Sequence, residues 1–142
     1  MSKAKYDITD NELKDFFNKY NLIELESFNL IFEYCYDYDI TDVLKIARIV
    51  YKEKYNSCAD EFETPIRHMT FKTSDIKNKN NLLNDKELKF LYDLTESAVM
   101  CLESIKHFDV EAEIIDLSKL DDSISTEIEN RNNSKKVKSK KR

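Results

Sequence analysis

The chain contains no glycine and only one proline among its 142 residues. Average usage would supply roughly ten glycines and seven prolines in a chain of this size. Two-residue hairpins, dinucleotide-binding fingerprints and phosphate-cradling loops all need glycine, for a positive φ or for a close backbone approach. None of these is present in its usual form. A helical protein fits this composition best, because asparagine can end helices in place of glycine.

Cysteine is also scarce, and its spacing carries no motif. Cys35, Cys58 and Cys101 form an odd number without paired spacing, which argues against a disulfide framework and a CxxC metal site. We therefore expect a reducing, intracellular location, cytoplasmic or, in a eukaryotic host, nuclear. No apolar run approaches the length of a membrane span, and Met1 to Tyr20 contains no signal-peptide core. We expect no membrane partner.

The residues that could carry catalysis are few. His68 and His107 are the only side chains that ordinarily titrate near neutral pH. Cys101 and His107 lie six residues apart on one predicted helix, a spacing that does not bring side chains together. Cys35 and Cys101 lie beside apolar stripes, as core cysteines do, and Cys58 is the candidate for an exposed thiol. The sequence predicts no enzyme, with no catalytic, cofactor-binding or metal-binding residue.

Most large apolar side chains of the N-terminal half fall into three helical patterns joined by short links. Thr9 with Glu12 and Asn21 with Glu24 are capping-box signatures, and Thr41 is a third N-cap candidate. Each is followed by apolar residues at helical spacing, namely Leu13, Phe16, Phe17 and Tyr20; Leu25, Phe28, Ile31, Phe32, Cys35 and Tyr36; and Val43, Ile46, Ala47 and Val50. We predict helices at about 9–20, 22–37 and 41–55.

The helical period is lost between residues 56 and 81, where a weak alternation at Ile66 to Thr73 allows one short strand. Asn84 with Glu87 then forms another capping-box signature, which starts a fourth helix at about 85–108. Its apolar stripe recurs every three or four residues, as in a helix that lies along partner helices. The stripe comprises Leu88, Leu91, Thr95, Ala98, Leu102 and Ile105.

The residues after 109 support two patterns, an alternation typical of a strand and apolar positions at Val110, Ile114 and Leu117 typical of a helix. Beyond Leu120, Ile124 and Ile128 lie four apart, which allows a marginal helix. We predict a short fifth helix or an extended arm there, followed by a disordered basic tail. The predicted fold is all-α, a small irregular bundle of four main helices. It forms a single helical domain at 1–120, and 121–142 is a flexible tail that is first acidic and then basic.

Charge is distributed unevenly along the chain. Seven of the 23 basic residues lie in Arg131–Arg142, which contains no acid, so the other 16 face 28 acids and give residues 1–130 a formal charge of −12. A basic block binds polyanions by neutralising phosphates, or directs nuclear import in a eukaryotic host. A merely solubilising end is the alternative. The residues predicted for this role are Lys135, Lys136, Lys138, Lys140, Lys141 and Arg142.

The segment before the basic block, Asp109–Asn130, contains eight acids and one base. This acidic segment can fold back on the basic tail and compete with phosphate for binding to it. Acidic pairs such as Asp121 with Asp122 are interpreted as solvated surface. Calcium loops of the familiar kind need a glycine and regularly spaced oxygens, and neither is present.

Three tyrosines lie at the end of the second predicted helix. Tyr34, Tyr36 and Tyr38 are spaced by two, so on a helix they fan around the axis and cannot all be buried. Tyrosine is enriched at interfaces because its ring is apolar and its hydroxyl is polar. We predict that these residues bind another protein, the alternative being a place in the core and its rim.

A local pattern supports a resemblance to one family. Leu25-Glu26, Glu33-Tyr34-Cys35, Asp39-Ile40 and Ile46-Ala47-Arg48-Ile49 resemble the helix-turn-helix core of phage late-transcription coactivators, which bridge RNA polymerase and a sliding clamp. That family ends in an apolar clamp-binding segment, whereas this chain ends in a basic one. The glycine-poor, viral helical bundles of the Bcl-2-like type are a second resemblance, which no motif supports. No family pattern extends over the whole chain.

These features predict a non-enzymatic helical protein-interaction module, an adaptor or regulatory factor. Its basic tail would bind a polyanion such as nucleic acid or direct the protein to the nucleus. The alternative is a transcription or replication accessory factor that binds nucleic acid and a polymerase. The composition, rich in lysine, asparagine and isoleucine, is typical of AT-rich genomes such as those of viruses, phages and plasmids. The sequence indicates no oligomeric state.

Overall fold

The computed structural model describes residues 6–35, 39–55, 76–77, 79–104 and 111–140. The regular elements of these residues are all helices, so the predicted all-α class is confirmed. In chain order they are α1 (Asp10–Asn18), α2 (Leu22–Glu33), α3 (Thr41–Tyr55), a short 3-10 turn (Asn80–Leu82), α4 (Asp85–Ser104) and α5 (Glu111–Lys140).

Three helices begin with the predicted capping boxes. The Glu12 amide donates to Thr9 Oγ1 at 3.2 Å, and the Thr9 amide donates to Glu12 Oε1 at 3.0 Å. The same reciprocal pair opens α2 and α4, formed by Asn21 with Glu24 and by Asn84 with Glu87. Each box satisfies helix-end amides that have no partner within the helix.

The start of α3 differs from the prediction that Thr41 is its N-cap. Thr41 is instead the first helical residue, and its amide and hydroxyl both donate to Asp39 Oδ1, at 2.9 and 2.5 Å. The carboxylate two residues upstream thus takes the role predicted for the threonine hydroxyl. Its negative charge is favoured there because a helix N-terminus carries a partial positive charge.

The second helix ends earlier than predicted. Tyr34 leaves the helix with φ −113° and ψ 10°, so α2 stops at Glu33. Cys35 nevertheless stays buried beside α4, with Sγ 3.4 Å from the carbonyl oxygen of Leu94. The last positions predicted for the second and fourth helices, 36–37 and 105–108, lie outside the described residues, as does the strand considered at 66–73.

The predicted apolar stripes form a single core. Every stripe residue of α1 to α4 that the structure describes is buried. Phe16 lies in its aromatic part and meets four rings at centroid distances of 5.0 to 5.8 Å, those of Phe17, Tyr20, Phe28 and Phe90. These edge-to-face contacts are the favoured geometry of aromatic pairs. The core therefore joins the short N-terminal helices to α4, which supplies Phe90.

The helices pack around this core in a fixed pattern of neighbours. α1 lies against α3, and α2 contacts both α3 and α4. α5 packs along α4 and also contacts the 3-10 turn. The 3-10 turn is thus held between the start of α4 and the later part of α5.

α5 is much longer than predicted. Its 30 residues extend about 45 Å, compared with about 30 Å for the 20 residues of α4. The helix passes position 120, where the flexible tail was predicted to begin, without a break. Leu117, Leu120, Ile124 and Ile128 recur every three or four residues and pack in the core. Because few other apolar residues lie in this highly charged segment, the sequence predicted only a short or marginal helix here.

Candidate functional site

The C-terminal part of α5 extends beyond the packed body. Ile128 is the last described apolar residue packed against the core, and the residues at 132–134 are exposed. At 1.5 Å per residue, the backbone from 132 to 140 adds about 14 Å of helix. The basic block of the sequence therefore continues a core helix.

We call residues 132–140 of α5 the basic extension. Four of the predicted polyanion-binding residues, Lys135, Lys136, Lys138 and Lys140, belong to it. Lys141 and Arg142 lie outside the described residues. The acidic part of α5 and its basic part occupy successive lengths of one continuous helix. Such a helix cannot fold back on itself, so the expected competition between the acidic and basic segments does not fit this geometry.

Arg131 forms the base of the extension. Its Nη1 atom lies 3.0 Å from Asp85 Oδ1, and Nη2 donates to the Asn80 carbonyl at 3.2 Å. Nη2 also lies 3.7 Å from Glu127 Oε1, one turn back on α5. The guanidinium thus ties α5 both to the 3-10 turn and to the first residue of α4. The sequence grouped Arg131 with the basic tail, and the structure gives it a clamping position instead.

A polar groove of about 270 Å³ adjoins this clamp, between the 3-10 turn and α5. On the α5 side it is lined by Ser123, Thr126, Glu127 and Asn130. These positions follow the spacing i, i+3, i+4 and i+7, so they share one helix face. The opposite side consists of Lys77, Asn80 and Asn81.

Asn80 connects the two sides of the groove. Its side chain is buried, with the residue 5% exposed, and Nδ2 donates to Ser123 Oγ at 3.1 Å. Its Oδ1 atom is buried and has no hydrogen-bond partner among the described residues. Leaving a buried polar atom unpaired disfavours a fold by about 1–3 kcal/mol. A donor that reached this amide would remove that penalty.

A second polar cluster lies where the ends of several helices meet. Glu24 and Glu87, the capping glutamates of α2 and α4, are each only 3% exposed. Lys19 donates to Glu87, and Lys79 Nζ lies 3.7 Å from Glu24 Oε1. Both buried carboxylates therefore have a lysine partner. Lys19, just after α1, holds α1 to the start of α4, and Lys79, just before the 3-10 turn, holds this turn to the start of α2.

Lys54 and Tyr20 complete this second cluster. The Lys54 ammonium donates to the carbonyls of Asn18, at 3.1 Å, and of Tyr20, at the C-terminal end of α1, where a cation is favoured. Partial burial lowers the pKa of Lys54. The Tyr20 hydroxyl is buried and has no hydrogen-bond partner in the described part of the chain. Burial, followed by the charges of Glu24 and Glu87, raises the pKa of Tyr20.

A third polar group lies between α4 and α5. Burial raises the pKa of Asp121 to about 6, and the negative charges of Glu96 and Asp122 contribute in the same direction. Asp121 Oδ1 is buried without a hydrogen-bond partner among the described residues. The charge of Glu96, one turn further along α4, raises the pKa of Tyr92. The contact between the two longest helices therefore contains a carboxylate that titrates near pH 6.

The predicted protein-binding tyrosines are described only in part. Tyr34 is half-buried and packs against the core. Tyr36 and Tyr38 lie outside the described residues, so the binding role of the three stays a prediction. Within the described ranges, the exposed large apolar side chains are those of Ile49, Leu82, Met100 and Ile115.

The candidate catalytic residues are not brought together in the described part of the chain. Cys35 is buried and Cys101 is half-buried, whereas Cys58, His68 and His107 fall outside it. Within the described residues, no group of three or more histidine, cysteine, aspartate or glutamate side chains could hold a metal ion. Among the described helices, none combines the length and the apolar character needed to cross a membrane.

Sequence reasoning missed the groove and the clamp beside it. One signal was present, since the α5 side of the groove, Ser123 to Asn130, follows helical spacing. Nothing local marked Asn80, which lies in a polar run of lysines and asparagines. Its partners, Ser123 and Arg131, are 43 and 51 residues away in sequence.

Comparison with protein-family models, curated proteins and solved structures finds no significant match to this chain.

Proposed function

We propose that this chain is a non-enzymatic helical interaction module that holds a polyanion at the basic end of α5. The observation that carries the proposal is the continuity of the basic block with a core helix. A continuous helix holds its charges at a set position relative to the packed body, whereas a flexible tail would not. The helical body would carry the protein partner, around Tyr34 at the end of α2.

The chemistry of the basic end favours a phosphate polymer as the polyanion. Residues 131–142 contain seven bases, no acid and no aromatic residue. Lysine and arginine bind nucleic acid by neutralising phosphates and releasing counterions, a term that does not depend on base sequence. Base stacking needs aromatic side chains. Binding through this end would therefore be insensitive to sequence and strongly weakened by salt.

The charge of the rest of the chain also favours binding of the ligand at the basic end of α5. Residues 1–130 carry a formal charge of −12, and 131–142 carry +7. A polyanion is repelled by the acidic body and attracted by the basic extension, so long-range electrostatics directs it to one end of the molecule. Because the extension projects beyond the core, its basic residues are also separated in space from the acidic body.

The experiment measures binding of a fluorescent single-stranded 12-mer by anisotropy between 50 and 300 mM salt. The test variant replaces Lys135, Lys136, Lys138 and Lys140 with glutamine. The control replaces four exposed lysines elsewhere, namely Lys45, Lys52, Lys89 and Lys119. Both variants lower the formal net charge of −5 by the same four charges.

We expect the wild-type affinity to fall with salt at a log–log slope of roughly −4, as for about six phosphate contacts on a single strand. The test variant should lose at least tenfold in affinity at 50 mM salt and most of this slope. The control should keep a slope close to that of the wild type. Equal effects of the two variants would show that net charge alone matters, and no wild-type binding at 50 mM salt would remove the proposed function.

A further inference from the structure

We propose that the groove between the 3-10 turn and α5 seats the sugar–phosphate backbone of the strand that the basic extension attracts. The inference rests on the proposed function and adds to it a second, uncharged point of contact. Three features support it. These are the shared face of α5 that links groove and extension, the polar side chains that line the groove, and the unpaired oxygen of the Asn80 side chain.

The groove and the basic extension are connected along α5. Thr126 and Asn130 lie in the groove, and the same helical spacing continues to positions 134 and 138. Ser134 is exposed, so nothing in the described chain covers this face between the groove and the basic turns. From 130 to 138 the helix rises about 12 Å. A strand held by the basic extension needs only a few nucleotides to reach the groove.

The groove contains the side chains that commonly contact sugar and phosphate. Asparagine amides and serine or threonine hydroxyls, together with lysine and arginine, make most protein contacts to the nucleic-acid backbone. Glu127 is the one acid that lines the groove, and Arg131 lies 3.7 Å from it. Lys77 and Arg131 together balance the charges of Glu127 and Asp85. The groove is thus close to neutral and would act through hydrogen bonds, not by attraction of charge.

The groove is small, and we assign to it one sugar–phosphate unit of the strand. At about 270 Å³ it is slightly smaller than the pockets that hold drug-sized molecules. Asn80 favours a ligand that can donate a hydrogen bond, because its buried Oδ1 atom has no hydrogen-bond partner among the described residues. A phosphate oxygen cannot donate, but the 2′-hydroxyl of ribose can. RNA is therefore expected to bind more tightly than DNA of the same sequence.

The test uses the full chain with single-stranded RNA and DNA 12-mers of one sequence, measured by anisotropy. The variant N81A/N130A removes two exposed amides from the groove. The control N11A/N18A removes two exposed amides of α1, which lie in neither the groove nor the basic extension. Circular dichroism melts of both variants establish that the fold is kept.

We expect N81A/N130A to weaken RNA binding about fivefold or more, with the salt slope unchanged because no charge is removed. N11A/N18A should bind as the wild type does. A loss with RNA alone assigns the contact to the ribose hydroxyl, and an equal loss with RNA and DNA assigns it to the phosphate that both share.

Two results would overturn the groove proposal. In the first, N81A/N130A binds both strands as tightly as N11A/N18A does. In the second, the groove variant loses salt slope, which would mean that it acts through the charged extension. Either result leaves the proposed function standing if the lysine-to-glutamine variant of the extension still loses binding. Absence of wild-type binding would instead remove both proposals.

Discussion

The Arg131 guanidinium lies 3.0 Å from the carboxylate of Asp85, 46 residues earlier in the chain. This pair joins the point where α5 leaves the packed body to the first residue of α4. The same guanidinium also donates to the carbonyl of Asn80 in the 3-10 turn. One side chain therefore holds together the groove, the start of α4 and the base of the basic extension.

Replacing Arg131 with alanine should destabilise the fold. The Asp85 side chain is 63% exposed, so the ion pair itself contributes little. The hydrogen bond to the partly buried Asn80 carbonyl matters more, and we expect the free energy of unfolding to fall by about 1–2 kcal/mol. Urea denaturation measures the change. Lys119→Ala, at an exposed position of α5, is the control, and an R131A midpoint equal to that of K119A would contradict the clamp.

Replacing Ser134 with proline should end α5 just beyond the body without unfolding it. Proline lacks an amide hydrogen and clashes with the carbonyl four residues back, so helix from about 132 to 140 is lost. Ser134 is exposed, and the melting temperature of the core should change little. Far-ultraviolet circular dichroism measures the lost helix, with Ser134→Ala as the control. Identical spectra of S134P and S134A would mean that the extension is not helical in solution.

Two buried tyrosines should respond in opposite ways to loss of the hydroxyl. The Tyr20 hydroxyl has no hydrogen-bond partner among the described residues, so Tyr20→Phe should raise the free energy of unfolding by about 1 kcal/mol. The Tyr6 hydroxyl lies 3.2 Å from Ser97 Oγ, so Tyr6→Phe should lower it by about 1 kcal/mol. Thermal and urea denaturation of both variants compare the two. Destabilisation by Y20F as large as that by Y6F would contradict this assignment.

Stability should depend on pH through Asp121. Its pKa is raised from 3.8 to about 6 in the folded chain, so folding favours its protonated form. The contribution is complete below about pH 4 and is lost as the pH rises through 6. Asp121→Asn should be more stable than the wild type at pH 7.5, by about 1 kcal/mol after allowance for solvent screening of this half-buried group.

The same comparison at pH 4 should show a much smaller difference between D121N and the wild type, because the folded wild-type carboxyl is then protonated and the pH is close to the unfolded pKa of 3.8. Urea denaturation at pH 4, 5, 6 and 7.5 measures the change across the window. Asp15→Asn, at an exposed position of α1, is the control. Parallel curves for D121N and the wild type at all four pH values would contradict the raised pKa.

The local features of the fold could be predicted because their causes lie within a few residues. Thr9 and Glu12 are three positions apart, and the reciprocal bonds between them depend only on the geometry of the first helical turn. The stripe of α1, from Leu13 to Tyr20, identified its buried face in the same way. The prediction that Thr41 caps α3 is wrong because a competing oxygen, Asp39 Oδ1 two residues upstream, accepts from the Thr41 amide.

The candidate site could be predicted only in part. Its basic residues are a contiguous run and were identified directly. Their place on a long helix was not predicted, because the few apolar residues from Leu117 to Ile128 indicate only a marginal helix until they pack against the core beside α4. The groove was missed altogether, since Asn80 and Ser123 belong to segments that look unrelated in sequence.

The sequence by itself determined the helical class, the positions of the capped helices and the separation of an acidic body from a basic end. These follow from residue types and from spacings of three or four, which act within one helical turn. Only the tertiary structure decided that Arg131 clamps Asp85 and that Asn80 faces Ser123. Those contacts exist because α5 lies along α4 and the 3-10 turn, an arrangement that no local interaction specifies.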